Sequence, residues 1–302
     1  MRVVALSGGV GGARLVQGLA DVLPAGDLTV IANTGDDLDH LTLRICPDLD
    51  TLLYTLAGEA PQERGWGLER ETFEARQMLR AYGGDDWFAL GDRDLGTHLF
   101  RTAELAAGAR LTDITQRLCA GLGVTDVCLL PMADEPKPTL IDAADGATLN
   151  FQDWLVRERA ERPVRQVRWA ATPAPTDEVV EALDVADLVV IPPSNPYVSV
   201  DPILTLPGVR ERVRAATTVA VSPIVAGAAV KGPLAQMILG LSGRPASAAA
   251  VQAHYGDLLD GFVLERGDEA VGQLLHTATV MGGRDDRARL AREVIAFGEG
   301  LL

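Results

Sequence analysis

The chain is poor in cysteine. Cys46, Cys119 and Cys128 are its three cysteines in 302 residues, an odd number without metal-ligand spacing. That excludes a disulfide framework and points to buried thiols in a reducing compartment. Basic charge is also short. Against 42 aspartates and glutamates stand 27 lysines and arginines, a formal net charge of −15, and no long basic run appears. Duplex nucleic acid and anionic membrane surfaces, which are held by clustered lysine and arginine, are therefore not expected as partners. A phosphorylated small ligand is not excluded, because a few local donors or a metal outweigh the global charge. No apolar run reaches spanning length, and the N-terminal run is too short for a secretory signal, so a cytoplasmic location is expected.

Several catalytic signatures are missing too. No Gly-x-Ser-x-Gly elbow and no cysteine–histidine pairing is present, which removes support for a covalent mechanism. His40, His98, His254 and His276 show no metal-ligand spacing, and His98 alone falls near a polar cluster. No internal repeat or long linker is visible. Apolar residues make up 47% of the chain, enough for a substantial core in one large or two smaller α/β domains.

One stretch is dense with glycine. An apolar run, Val3 to Leu6, enters Ser7-Gly8-Gly9-Val10-Gly11-Gly12-Ala13-Arg14, and a helical pattern opens at Leu15, Leu19 and Val22-Leu23. Strand, glycine turn and helix in that order offer backbone N–H groups to an anion. The turn meets neither common template. A dinucleotide fingerprint from Gly9 needs glycine where Arg14 stands, and a P-loop from Gly8 needs glycine and lysine where Ala13 and Arg14 stand. The first mismatch also disfavours a nicotinamide oxidoreductase.

Further strands are predicted at 28–32, 127–131, 139–141, 164–169, 188–191, 218–221 and 262–264. Helices are predicted at 177–183 and 209–215, from Pro233, and over the tail 286–302. Alternation of this kind predicts a Rossmann-like three-layer α/β fold with a mostly parallel sheet. Residues 47–122 differ in character. Apolar stripes at Leu49, Leu52, Leu53 and Leu56, at Phe73, Met78, Leu79 and Tyr82, and at Leu99, Leu105, Ile114 and Leu118 predict a helical insertion between core segments 1–46 and 123–302. Ligands of such sheets bind beyond the carboxyl ends of the strands. Four polar clusters at strand ends, Gly8 to Arg14, Asn33 to Asp37, Ser194-Asn195 and Ser222, are expected to ring one crevice.

Two acidic pairs add chemistry. Asp36-Asp37 follows the second strand, and Asp48 and Asp50 flank Leu49 at a helix start. One carboxylate can cap that helix, but not both. Clustered carboxylates suit magnesium, which takes one or two of them with waters and substrate phosphates. Asp37 and Asp50, with Asp36 and Asp48 behind them, are the expected metal ligands. Gly91-Asp92-Arg93-Asp94 adds a glycine turn with an arginine between acids.

Ser7-Gly-Gly-Val-Gly-Gly-Ala-Arg14, Asn33-Thr-Gly-Asp-Asp37, Cys46-Pro-Asp-Leu-Asp-Thr51, Arg64-Gly-Trp-Gly67, Leu90-Gly-Asp-Arg-Asp94, Leu130-Pro-Met132, Asn150-Phe-Gln152, Pro193-Ser-Asn-Pro196 and Val221-Ser-Pro-Ile224 follow one another in order. Together they resemble the 2-phospho-L-lactate transferase family, the CofD/FbiA-type enzymes of coenzyme F-420 biosynthesis, over nearly the whole chain. The resemblance implies a transferase. Its donor is a guanosine diphosphate ester, lactyl- or enolpyruvyl-2-diphospho-5'-guanosine, and its acceptor is Fo, 7,8-didemethyl-8-hydroxy-5-deazariboflavin. The ribityl hydroxyl attacks the distal phosphorus, GMP leaves, and F-420-0 or its dehydro form results, with magnesium as the expected cofactor.

By motif, the resemblance places Asp50 and Arg93 against Fo, with Asn33 and His98 on the same acceptor side. Asp50 orients or deprotonates the hydroxyl, and Asp37 is the second catalytic carboxylate. Gly8, Gly9, Gly11, Gly12 and Arg14 are expected to hold donor phosphates, with Ser194, Asn195, Ser222 and Lys231 also toward the donor. A homodimer is left open. The stretch Thr279-Val-Met-Gly-Gly-Arg-Asp285 displaces an acid that the family often carries soon after Thr-x-Met. The two donors differ only in saturation, which the residues do not separate on physical grounds; Cys46-Pro47 and Arg64-Gly-Trp-Gly67 incline toward enolpyruvate. The competing reading is a nucleotide-sugar-binding regulatory protein of a related glycine-loop family. There a Gly-Ser-rich run follows the aspartates, whereas Leu38-Asp-His-Leu41 follows here.

Overall fold

The computed structural model describes residues 1–302. β1 (Val3–Ser7) enters α1 (Gly9–Val22) and returns as β2 (Leu28–Ala32). A hairpin, β3 (Leu38–His40) and β4 (Leu43–Ile45), leads to α2 (Pro47–Leu56), α3 (Glu74–Ala81), α4 (Asp94–Ala106) and α5 (Leu111–Gly121). β5 (Val127–Pro131) precedes a separate antiparallel sheet of β6 (Thr139–Ala143), β7 (Thr148–Asn150) and β8 (Val164–Trp169). Then come α6 (Asp177–Asp184), β9 (Leu188–Ile191), α7 (Asp201–Leu204), α8 (Val209–Ala215) and β10 (Thr217–Val221). A minimal hairpin, β11 (Ile224–Val225) and β12 (Ala228–Ala229), precedes α9 (Leu234–Ser242) and α10 (Ala248–Tyr255). β13 (Gly261–Glu265), β14 (Leu274–Thr277) and α11 (Arg284–Glu299) complete the chain.

The main sheet has seven strands in the order β14-β13-β10-β9-β1-β2-β5, and every pairing in it is parallel. This is the expected Rossmann-like three-layer architecture. β1 is buried along its length because both faces are covered. Val4 and Leu6 join the core on one side, while Val3 and Ala5 join the core on the other. That alternation makes a parallel strand read as a continuous apolar run. Residues 139–143 and 164–169 form strands as expected, but in the small antiparallel sheet rather than the large one.

The chain moves from β1 outward through β2 to β5, then crosses back to β9 and continues to β14 on the other side. The reversal lies between β1 and β9, where Val3 pairs with Leu188. The carboxyl ends of adjacent strands with connections to opposite sides leave a crevice there. The glycine turn and the Pro193-Ser194-Asn195 turn meet at its edges.

Two expectations need correction. The first helix begins at Gly9, not at Leu15, so the glycines are its first turns. Packing overrides their poor helix propensity. A Cβ at Gly11 would stand 2.6 Å from the Pro193 carbonyl oxygen, and one at Gly18 would stand 2.2 Å from that of Arg287. Glycine lets α1 lie this close to the β9 turn and to α11. The second correction concerns Met78 and Tyr82, whose stripe does not face a core. α3 has no buried residue, and Tyr82 is 77% exposed. The helix is held at its start instead: Asp92 accepts from the backbone N–H of Glu74 at 2.9 Å and of Ala75 at 3.0 Å.

Gly18→Val is expected to destabilise the protein by about 1–3 kcal/mol, because the clash is with backbone that cannot rotate away. Gly96→Ala, in α4 with open space where its Cβ would go, is expected to be neutral or stabilising by up to about 1 kcal/mol. Urea unfolding of both variants checks the contrast; equal losses would overturn the packing account of Gly18.

Candidate active site

A cavity of about 520 Å³ occupies the crevice. Its floor is set by Asp48. Pro47 stands in the first turn of α2, and Asp48 follows it. Its carboxylate turns away from its own helix and toward α1, where Gly9 N–H donates to Oδ1 at 2.7 Å. The chain's own carboxylate thus takes the anion position at the start of α1. A Cβ at Gly8 would lie 2.3 Å from Asp48 Oδ2, and one at Gly12 would lie 2.4 Å from both the Ser194 and Ser7 hydroxyls. Gly8, Gly11 and Gly12 therefore admit neighbouring parts of the chain. Gly9, with φ of +68° and open space where a Cβ would go, differs from them.

Asn33, fully buried at the end of β2, ties the floor together. Its amide nitrogen donates to Asp36 Oδ1, to Asp48 Oδ2 at 2.9 Å and to the Val198 carbonyl at 3.1 Å. Its oxygen accepts from Gly35 N–H at 2.8 Å, closing the turn. Burial and then the Asp48 charge push the Asp36 carboxyl well above the usual range. Burial pushes Asp48 up to about 6, against the pull of its Asn33 and Gly9 donors. Asp37 points elsewhere: the Cys46 thiol donates to its Oδ2 at 3.0 Å, and burial pushes it up to about 7. Neither Asp37 nor Asn33 lines the cavity, whereas Asp36, Asp48 and Asp50 do.

A second wall comes from α4. Asp94, His98 and Arg101 share one helix face, as their spacing requires. Arg101 is fully buried and grips both oxygens of Asp50, with Nη1 at 3.1 Å and Nη2 closer. His98 lies between two acids, Nδ1 3.7 Å from Asp50 and Nε2 3.3 Å from Asp94. The Tyr54 hydroxyl donates to Asp94 Oδ1 at 2.6 Å. Burial would raise Asp94, but His98, Tyr54 and Arg101 together hold it below its ordinary value. Asp50, Asp94 and His98 offer ligand atoms within 4.8 Å of one another.

Arg93 does not reach this wall. Its guanidinium donates to the Glu69 carbonyl at 2.6 Å and to Glu59 Oε2 at 3.0 Å, outside the cavity lining. The Gly91–Asp94 turn builds helix ends: Asp92 caps α3, and Glu71 accepts from the N–H groups of Arg93 and Asp94.

The opposite rim carries cations and neutral turns. Arg14 donates to the Gln62 carbonyl at 3.0 Å and to the Met281 carbonyl at 3.4 Å, and Lys231 donates to the Arg64 carbonyl at 3.0 Å. Ser194 donates to the Gly8 carbonyl at 2.9 Å. Asn195 accepts from Tyr197 N–H, and Ser222 donates to the Ile224 carbonyl. All five line the cavity, which also has an apolar side that includes Trp66, Phe88, Val156 and Val230. Thr279, Val280 and Met281 line it too. Asp285 falls in the first turn of α11, where its neighbour Asp286 accepts from Gly282 and Gly283 N–H.

Arg101, Asp94 and Tyr54 escaped the sequence reading as site residues. The Asp94/His98/Arg101 spacing was visible and would have marked a single helix face.

Fold and cavity define a Rossmann-like α/β protein with a ligand crevice at its topological switch point. The chain belongs to the 2-phospho-L-lactate transferase family described as CofD, matched over residues 3–288, and is a transferase. It is 46% identical over 285 residues to a phosphoenolpyruvate transferase of Thermobifida fusca, covering 89% of this chain and 87% of that one. A protein of the same name from Streptomyces griseus is 42% identical, with 99% of each chain covered. One from Mycolicibacterium smegmatis is 40% identical over 89% of each. Among solved structures, a protein of the upf0052 family from Bacillus halodurans superposes with a TM-score of 0.65 at 16% identity, covering 97% of this chain and 99% of that one, a likeness of fold. No helix is long and apolar enough to cross a membrane.

The raised carboxyl of Asp48 gives a pH test. Between the ordinary value of 3.8 and about 6 the folded state holds a proton that the unfolded state has released, so this group lowers stability as pH rises. Asp48→Asn removes that loss. The stability of the variant relative to wild type is expected to improve from pH 4 to pH 8, read as the difference in urea midpoints. A difference that is flat or declines with pH would contradict the assignment.

Proposed function

We propose that the protein transfers a phosphoenolpyruvyl group from enolpyruvyl-2-diphospho-5'-guanosine to the ribityl hydroxyl of Fo, giving dehydro-F-420-0 and GMP. The observation that carries this reading is the cavity itself. A carboxylate floor of Asp36, Asp48 and Asp50, a cationic rim of Arg14 and Lys231, and an apolar side share one space in a chain of this transferase family. Its volume falls in the range of small-molecule sites. The relatives named phosphoenolpyruvate transferase support enolpyruvate over lactate as the donor's three-carbon unit.

Asp36 and Asp48 fit magnesium. Asn33 holds them together, their carboxyls are raised by burial, and no cationic side chain pairs with either. Magnesium, when bound there, supplies charge neutralisation for the diphosphate. The remaining work is positioning. Gly9, Val10, Ser194, Asn195 and Ser222 flank the donor, and Arg14 and Lys231 meet its anionic oxygens. Trp66, Phe88 and Val156 face the flat deazaflavin. Asp50 orients the ribityl hydroxyl, since Arg101 already binds both of its oxygens, and His98 lies beside it. The hydroxyl oxygen bonds to the distal phosphorus and loses its proton to solvent as the bridging P–O bond breaks, and GMP departs with that electron pair. Asp37 and Asn33 act from beneath the floor by holding the Cys46 and Asp36 turns. Contact between Arg93 and Fo requires its pairing with Glu59 to open. A cytoplasmic location is part of this proposed reading.

Purified protein with Fo, magnesium and the enolpyruvyl donor is expected to release GMP and to yield a product of dehydro-F-420-0 mass. EDTA should stop release and magnesium restore it. Product from the lactyl donor alone would reverse the donor assignment, and no product from either would remove the assignment of Fo and the guanylated esters as substrates. Asp50→Asn keeps the shape opposite Arg101 and is expected to slow GMP release by about 100-fold or more. Near-normal turnover would displace Asp50 from its role.

A further inference from the structure

The cationic rim extends behind the cavity wall. Arg287, on α11, is only 4% exposed and has no carboxylate partner. Its guanidinium donates to the side-chain oxygens of Gln17 and Gln62, the latter at 2.8 Å, and its Nε has no partner. The backbone carbonyl of the same Gln62 accepts from Arg14 at 3.0 Å. One glutamine therefore ties two guanidiniums side by side. They share a recess of about 30 Å³ beside the main cavity, reached past Val10 and Arg14. It has room for water but not for a phosphate. Lys231, across the rim, also has a neutral carbonyl as its partner.

Neutral acceptors serve buried Arg287, half-buried Arg14 and exposed Lys231 in a chain with 42 acidic residues. Clustering of like charges in a partly desolvated place is unfavourable unless an anion completes it. We propose that Arg14, Lys231 and Arg287 form an anion subsite for a phosphate or carboxylate group of the nucleoside diphosphate ester. Arg14 and Lys231 face the group directly, and Arg287 reinforces Arg14 from behind. Arg287 is a positioning residue that acts through charge and through Gln62. The identity of the ligand rests on the proposed transferase reading, but the anion preference is measured without turnover.

Binding of guanosine, GMP, GDP and phosphoenolpyruvate is measured by calorimetry, with and without magnesium, to wild type, Arg287→Met and Arg287→Lys. Arg287→Met is expected to weaken at least one anion about tenfold, to leave guanosine unchanged and to make binding less salt-dependent. Arg287→Lys should recover most of the loss. A loss that begins with GMP assigns the proximal phosphate, and one that begins with GDP assigns the distal phosphate. A loss confined to phosphoenolpyruvate assigns the carboxylate. Equal loss for guanosine, lower thermal stability with unchanged anion affinity, or no anion binding to wild type would each overturn the subsite. Anion binding that depends on Arg287 without any GMP release would sustain the subsite while removing the proposed substrates.

Discussion

The Asn33 amide nitrogen joins Asp36, Asp48 and the Val198 carbonyl, and Asp48 in turn binds the start of α1. Through these few bonds the end of β2, the first turn of α2, the glycine turn and the segment after β9 hold one geometry. Two buried carboxylates in one place repel, and each resists ionisation. Their proximity is stabilised by the donors they share and would be completed by a cation. The same constraint explains the glycines: without side chains at Gly8, Gly11 and Gly12, α1 and its neighbours can approach closely enough for the bonds to form.

Acid is matched by cation in two different ways around the cavity. Arg101 faces Asp50 and is neutralised by it. Arg14, Arg287 and Lys231 have neutral oxygens instead. The first arrangement fixes a protein group in place, and the second leaves positive potential available to a guest. A chain with a large negative net charge can thus favour an anionic ligand locally while its surface field repels polyanions.

Much of the fold was legible in the sequence, because parallel strands buried on both faces read as uninterrupted Val/Ile/Leu runs and end at turn residues. β1 and β9 had that form most fully, and β2, β5, β10 and β13 in part. The start of α1 was not legible, since glycine disfavours helix locally and only close approach of Asp48, Pro193 and Ser194 explains it there. The Met78 and Tyr82 stripe has helical spacing but no element opposite it. At the site, Asp36, Asp48 and Asp50 were identifiable as acids after strand and helix boundaries, yet their destinations were not. Asp48 leaves its own helix for α1, and Asp37 turns toward Cys46, outcomes fixed by side-chain direction in three dimensions. Arg93 looked equivalent to its acidic neighbours, but its backbone placement sends it to Glu59.

β1 lies in the middle of the large sheet, and one of its neighbours, β9, starts at Leu188. A ribosome emits β1 first and the strand that completes it much later, so the floor and the rim cannot come together during most of synthesis. Pairing across such a long sequence separation is slow because loop closure must precede the contacts that reward it. Until β9 arrives, an apolar strand with an open edge must wait alongside a set of closely spaced acids.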